Sequence, residues 1–285
     1  MTTSVDATSV REQVAAAARR LDDAGVPSAR HDAEALAAHL LGVPRTALLL
    51  AEGPLDAASY ATLVARRAAR EPLQHLVGTA PFRHLELLVG PGVFVPRPET
   101  EAVVDAALAA IAEITEPLVV DLCAGSGAIA LSIKHERADA QVHAVELSDD
   151  AMLWLLRNVF GLELVVRGVQ GDVRDPALLA ELDGTVDLVV SNPPYIPEGA
   201  VPLDPEVRDH DPALALFGGP DGLDVVRAVA VTARRLLRPG GVLVIEHSDR
   251  DGAVAPEVLR GHGFVDVSDH RDLAGRDRYV VGSKP

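Results

Sequence analysis

The hydrophobic rhythm of the chain changes twice. Between residues 8 and 70, apolar side chains recur with helical spacing in three stretches. "VREQVAAAARRLDDAG" ends at Gly25, and "SARHDAEALAAHLLG" opens at Ser28, a candidate cap, and ends at Gly42. "LDAASYATLVARRAARE" repeats the pattern before Pro72. Three short amphipathic segments with tight connections predict a small helical bundle over residues 1–72. Such a bundle serves equally well as a recognition module or as plain structural support. Residues 73–95, "LQHLVGTAPFRHLELLVGPGVFV", then switch to alternation broken by Gly and Pro, which predicts a β-hairpin linker over 73–96.

From Pro98 onward, short apolar runs alternate with helical patterns. "PLVVDLC", "QVHAVEL", "LVVRGVQGD", "VDLVVSN" and "GGVLVIEH" read as buried strands, with helices over 99–114, 127–137, 149–159, 176–182 and 222–238. That alternation predicts an α/β domain over 97–285, built on a doubly wound, mostly parallel sheet. The closing pair "GFVDVSDH" and "RDRYVVGS" predicts an antiparallel edge. The stretch 196–221, rich in Pro, Asp and Gly, predicts a long loop of the kind that carries function.

Composition narrows the field. With 48% hydrophobic residues over 285 positions, the chain can bury a sizeable core, yet no apolar run approaches the roughly 20 residues that span a bilayer. The opening "MTTSVDATSVREQ" lacks the basic and apolar regions of a signal peptide. Cys123 is the only cysteine, which excludes a disulfide framework and fits a reducing cytoplasm. The formal net charge of −16 argues against duplex nucleic acid as the main partner. Residues 1–95 carry nine basic and ten acidic side chains, so nearly all of that charge falls on the remainder. No membrane association and no metal site are expected, and the chain is expected to be a monomer.

"VVDLCAGSGAIALSIK" reads as a buried strand, a tight glycine turn and a helix. Gly125 and Gly127 let a ligand approach the backbone at the strand's C-terminal edge. Glu146 lies nineteen residues beyond Gly127, at the end of the next strand, where an acid can accept both hydroxyls of a ribose. Two cofactors fit this pattern. The spacing of Gly125, Gly127 and Ala130 satisfies the dinucleotide fingerprint of NAD. S-adenosylmethionine (SAM) carries an ammonium and a sulfonium, and the acidic lining suits it better than a diphosphate. Asp121, just before the glycines, can meet the methionine amino group, and Asp172 lies within reach of an adenine amino group. Asp172 serves equally as a cap for the helix expected at "PALLAEL".

"DLVVSNPPYIP" ends the fourth strand of the unit at the same sheet edge. Two prolines remove two backbone donors and fix two φ angles, so the stretch offers acceptors. Methylating an NH2 bonded to a carbonyl or aromatic carbon calls for such acceptors. The side-chain oxygen of Asn192 and the carbonyl of Pro193 can grip the two N–H bonds and orient the nitrogen lone pair, while Tyr195 packs on the planar group. Orientation does the work and no strong base is needed. The alternative is a proline-rich turn in which Asn192 caps the backbone.

Five stretches, "FVPRPETE" (94–101), "DLCAGSGAIALSI" (121–133), "SNPPYIP" (191–197), "LFGGPDGLDVVR" (216–227) and "RDLAGRDRYVV" (271–281), occur in the order seen in the HemK family. The chain thus resembles the peptide chain release factor glutamine methyltransferases over most of its length. The resemblance implies a Rossmann-like, class I SAM-dependent methyltransferase fold preceded by a substrate-recognising helical bundle. It implies methylation of the glutamine amide in the Gly-Gly-Gln motif of release factors. By resemblance, Cys123, Ala124, Gly125, Ser126, Gly127, Glu146, Asp172 and Val173 contact SAM. Asn192, Pro193, Pro194 and Tyr195 hold the glutamine amide, with Asn192 also near the cofactor. His75 replaces an aromatic of the family, and His247, Ser248 and Asp249 follow the retained Glu246 where a Gly and a Gln are usual. "NPPY" also occurs in enzymes that methylate nucleic-acid amino groups, and a relative of the family methylates a ribosomal-protein glutamine. A dehydrogenase reading explains the glycine spacing but not "NPPY".

Overall fold

The computed structural model describes residues 9–51 and 54–285. The signal-peptide reading rests mainly on residues 1–8, outside the described residues. The chain divides into two compact units, Met1–Thr79 with Pro202–His210, and Ala80–Val201 with Asp211–Pro285.

The first unit contains helices α1 (Val10–Asp23), α2 (Ala29–Leu41), α3 (Ala57–Ala68) and α4 (Leu73–Val77), together with α8 (Pro205–His210) from the later segment. A reciprocal capping box starts α1, with Ser9 and Glu12 satisfying each other's backbone N–H groups. Leu21, Ala33, Leu36 and Ala37 form its solvent-free centre. Ser28 does not cap α2, because its hydroxyl instead donates to Asp32 at 2.8 Å. Asp32 is itself buried and paired with Arg67 at 2.7 Å. Arg67 and Arg70 both reach Glu206 of α8, at 2.7 and 2.6 Å. Burial works to raise the Glu206 carboxyl, but hydrogen bonds from Arg70 and Arg67 outweigh it and hold the group at about 2. Part of the expected 196–221 loop is therefore helical and tied to this bundle. The strand texture expected from residue 73 is also corrected, since 73–77 form a helical turn that closes at Gly78 (φ 81°).

The hairpin β1 (Thr79–Phe82) and β2 (Leu85–Leu88) begins at the last residue of the first stretch and otherwise belongs to the second unit. Its sheet holds β3 (Leu118–Leu122), β4 (Gln141–Glu146), β5 (Val166–Gln170), β6 (Val186–Ser191), β7 (Leu237–Glu246), β8 (Val265–Arg271) and β9 (Asp277–Ser283). The order is β5-β4-β3-β6-β7-β9-β8, parallel from β5 to β7. β9 lies antiparallel between β7 and β8. Strand alternation sorts side chains to two faces. Val119, Val142, Leu188 and Val190 pack under α5 (Glu101–Ala110), α6 (Ala128–Glu136) and α7 (Asp149–Gly161). After the short α9 (Ala213–Leu216), Val120, Leu122, Val189 and Ile245 pack under α10 (Asp224–Leu236) and α11 (Val254–Gly261). The helix expected over 176–182 shrinks to a 3₁₀ turn, Ala180–Leu182. Leu179 enters it at φ 52°, a left-handed conformation that a continuing helix cannot contain, and both Leu178 and Leu179 turn into the core.

Candidate active site

The switch in strand order falls between β3, which leads outward to β4 and β5, and β6, which leads to β7. The crevice at such a point is where open α/β sheets bind ligands. At the end of β3 the backbone turns through three left-handed residues, Cys123 (φ 64°), Gly125 (φ 57°) and Gly127 (φ 88°). A Cβ on Gly127 would lie 2.5 Å from Leu155 Cδ1 and 2.9 Å from Leu131 Cδ1, so only glycine fits under the start of α6. A Cβ on Gly125 would meet nothing within 4 Å, which leaves that backbone approachable.

Glu146 closes this loop from the end of β4. One oxygen accepts the Gly125 N–H at 2.7 Å, and the other accepts those of Leu147 and Ser148, both at 2.8 Å. A carboxylate offers about four acceptor positions. One remains, so receiving both ribose hydroxyls requires exchanging a backbone donor for the second. Asp121 is fully buried; Oδ2 accepts the Ala130 N–H at 3.1 Å and so holds the first turn of α6. Its Oδ1 has no hydrogen-bond partner among the described residues, and burial pushes this carboxyl well above the usual carboxylate range. Asp172 caps no long helix. Its Oδ1 accepts the Arg174 N–H at 2.8 Å in a local turn. The carbonyl of buried Val173 accepts the Thr232 hydroxyl at 2.7 Å. Desolvation pushes the Cys123 thiol up, and the charges of Glu146, Asp121 and Asp172 add to this, so the sulfur is not an activated nucleophile. Three acidic side chains acting on one loop, one of them with an orphaned buried oxygen, fit a cationic nucleoside better than a diphosphate.

β6 delivers "NPPY" beside this loop. Leu122 and Ser191 are register partners at the two strand ends, and the Ser191 hydroxyl donates to the Leu122 carbonyl at 2.6 Å. Asn192 is half-buried; its Nδ2 donates to Thr100 Oγ1 at 3.3 Å, the one side-chain hydrogen bond it makes among the described residues, so Oδ1 is left open. Tyr195 donates its hydroxyl to Glu246 Oε1 at 3.2 Å, at the end of β7. Burial, then the Glu246 charge, push the Tyr195 phenol up, which makes it no base at neutral pH. Burial raises the Glu246 carboxyl to about 7 against the lowering action of the Thr100 hydroxyl, Arg278 and Tyr195.

A second segment braces "NPPYIP". Ile196 and Phe217 form a parallel bridge, with Ile196 N–H donating to Leu216 O at 2.8 Å and Gly218 N–H to Ile196 O at 2.9 Å. The packing leaves no room for side chains at two glycines of the brace. A Cβ on Gly222 would lie 2.4 Å from the Tyr195 carbonyl, and one on Gly218 would lie 2.5 Å from that of Pro194. Arg97 stacks over Phe94 at 4.9 Å and donates to Asp211 at 2.9 Å, so the "PRPETE" segment is anchored before Thr100.

Comparison with known proteins decides the family. A model described as the PrmC N-terminal domain matches residues 12–78, and the methyltransferase small domain matches 85–204. A release factor glutamine methyltransferase of Streptomyces coelicolor is 54% identical over 278 residues, covering 95% of this chain and 97% of that protein. One of Mycolicibacterium smegmatis is 50% identical over 280 residues, covering 97% and 98%. The chain belongs to the release factor glutamine methyltransferase family.

Membership makes the protein a SAM-dependent methyltransferase with SAM as its methyl donor. Solved structures agree on the fold. A 16S rRNA methyltransferase of T. thermophilus, in complex with AdoMet and guanosine, superposes with a TM-score of 0.54 at 21% identity, covering 73% of this chain and 50% of that one. A methyltransferase from Pyrococcus furiosus gives 0.50 at 17%, covering 80% and 98%. Three site features of this family member escape sequence reasoning. Asn158 of α7 is buried and bonds Leu88 N, Leu88 O and Ser126 O, tying the hairpin to the glycine loop. Its only signal is a polar residue on the core face of a helix. Thr100 lies inside "PRPETE" without a visible role, and the glycines of "LFGGPDG" show their purpose only against Pro194 and Tyr195.

Proposed function

We propose that the protein transfers the methyl group of SAM to the side-chain amide nitrogen of the glutamine in the Gly-Gly-Gln motif of peptide chain release factors. The observation that carries this reading is the Asn192 amide, whose nitrogen is taken by Thr100 and whose oxygen remains without a partner among the described residues. An incoming NH2 brings two hydrogens and needs two acceptors. Asn192 Oδ1 is one, and the carbonyl of Pro193 is the other, held still by proline rings and by the glycine brace. SAM, when bound, supplies an electrophilic methyl on a sulfonium. The chain's own residues orient the amide so that its nitrogen lone pair faces that methyl, an effect of positioning. The nitrogen gains the methyl and gives up one proton, which is acidic enough to leave to water.

In this reading Tyr195 offers its ring to the planar amide, since its hydroxyl is occupied by Glu246. Cys123, Ala124, Gly125, Ser126 and Gly127 cradle the cofactor. Glu146 takes the ribose, with Asp121, Asp172 and Val173 completing the lining. The N-terminal helical unit receives the release factor, and the activity belongs in the cytoplasm, where translation takes place. The identity of the relatives, near 50% over nearly their full length, supports the substrate. Transfer of labelled methyl from SAM to a purified release factor tests it. Label is expected on the wild-type factor and not on a Gly-Gly-Ala variant, and equal labelling of both would refute the assigned residue.

A further inference from the structure

Four side chains around the site are connected. Asn192 Nδ2 donates to Thr100 Oγ1 at 3.3 Å, and Tyr195 donates to Glu246 Oε1 at 3.2 Å. The Thr100 hydroxyl faces the same Glu246 carboxyl closely enough to act on its ionisation. Thr100 is 4% exposed and Glu246 is 1% exposed, and Glu246 Oε2 has no hydrogen-bond partner among the described residues. A buried acid with one oxygen unfilled, next to a hydroxyl that already accepts from Asn192, sets a direction for every proton in the chain.

We propose that Thr100 and Glu246 are positioning residues that fix which end of the Asn192 amide faces the substrate, an inference that rests on the reading of Asn192 as a glutamine-amide acceptor. An ionised carboxylate only accepts hydrogen bonds. Tyr195 and Thr100 each have a single hydroxyl proton; Tyr195 gives its own to Glu246 Oε1, and in this proposal Thr100 turns its own to the unfilled Oε2. Having given its proton, Thr100 presents only lone pairs to Asn192, so the Asn192 NH2 must face Thr100 and Oδ1 must face the other way. The flipped amide would set NH2 against the incoming NH2, two donors with no acceptor, at the place where orientation decides the rate. Asparagine alone does not distinguish these two states, because its oxygen and nitrogen ends are nearly the same shape. The hydroxyl and the buried acid do.

The acid state of Glu246 then governs the direction of the chain. The groups facing it are the Thr100 hydroxyl and Glu99 from the segment before α5, Tyr195 from the turn after β6, and Arg278 from β9. Arg278 is itself shared with Asp272 at 3.2 Å. Burial dominates and raises the carboxyl to about 7. Above that pH the group is an acceptor and the chain points one way. Below it, protonated Glu246 becomes a donor, Thr100 is free to donate to Asn192 instead, and the amide direction is lost. Methyl transfer should therefore decline as pH falls through about 7.

The test uses the full-length enzyme and an intact release factor, with Thr100→Val, Thr100→Ser, Glu246→Gln and Asn192→Ala variants. SAM affinity is followed by calorimetry. Thr100→Val keeps the shape and removes the hydroxyl. It should lower kcat by about tenfold or more, the equivalent of one lost hydrogen bond in the transition state, with SAM affinity and KM for the release factor unchanged. Thr100→Ser should restore most of the rate, which a purely packing role would not predict. Glu246→Gln should lose the fall in kcat near pH 7. A Thr100→Val enzyme with wild-type kcat, beside an inactive Asn192→Ala, would overturn the positioning role alone. Wild-type turnover by Asn192→Ala would overturn the underlying reading. Should Thr100→Val fail to fold, the pH profile of Glu246→Gln decides, and an unchanged acid limb refutes the inference.

Discussion

Replacing Asn158 by alanine probes how the glycine loop is held in its binding shape. Asn158 is 1% exposed and makes three bonds, to Leu88 N at 2.7 Å, Leu88 O at 3.0 Å and Ser126 O at 2.9 Å. Alanine strands one N–H and two carbonyls. A buried group left unpaired costs about 1–3 kcal/mol. Leu88 is 40% exposed, so water can partly replace both bonds there, and these two count near the low end. Ser126 is 2% exposed, and its carbonyl counts more fully. The expected loss is about 3 kcal/mol, which for a domain of this size lowers Tm by about 6–12 °C. Because Ser126 lies between the two glycines, the loop must then be ordered when SAM binds, and affinity should fall about tenfold, or about 1.4 kcal/mol. Urea titration measures the first effect and calorimetry with SAM the second. Asn158→Leu fills the space but leaves the same three groups unpaired, so it should rescue neither. A loss below about 0.5 kcal/mol with unchanged SAM affinity would refute the idea that Asn158 links hairpin and loop.

Two further outcomes are expected. Glu146→Ala removes the acceptor for Gly125, Leu147 and Ser148 together with any bond to the ribose, so SAM affinity by calorimetry should fall at least tenfold; unchanged affinity would move the cofactor elsewhere. Gly222→Ala places a Cβ 2.4 Å from the Tyr195 carbonyl at φ 80°, so single-turnover methyl transfer should slow markedly while SAM affinity holds. A wild-type rate would mean that the brace does not position "NPPY".

Much of the sheet was legible because its strands are nearly continuous apolar runs ending in polar residues at one edge. The runs around Val119, Val142, Val189 and Val244 all became buried strands, and Gly127 proved to need glycine for both its conformation and its contact with Leu155. The errors came where tertiary contacts outvoted local pattern. "PALLAEL" has helical spacing, but burying both Leu178 and Leu179 takes Leu179 to a left-handed conformation. Ser28 looks like a cap until a buried Asp32, paired with Arg67, takes its proton. Asp121 reads from sequence as facing an amino group; what the sequence hides is that one oxygen holds the start of α6, while the other stays unfilled. Asn158 and Thr100 could not be read at all, since their partners lie 70 and 92 positions away. Such bonds follow from the order of strands, which no local spacing encodes.

In the proposed reading Asn192 orients the substrate amide and, although near the cofactor, is not the main support of SAM binding. Single-turnover methyl transfer to a release factor by Asn192→Ala, measured beside its SAM affinity, tests it most directly. Transfer is expected to fall to background with SAM affinity largely retained; methyl transfer at the wild-type rate would contradict the amide-orienting role.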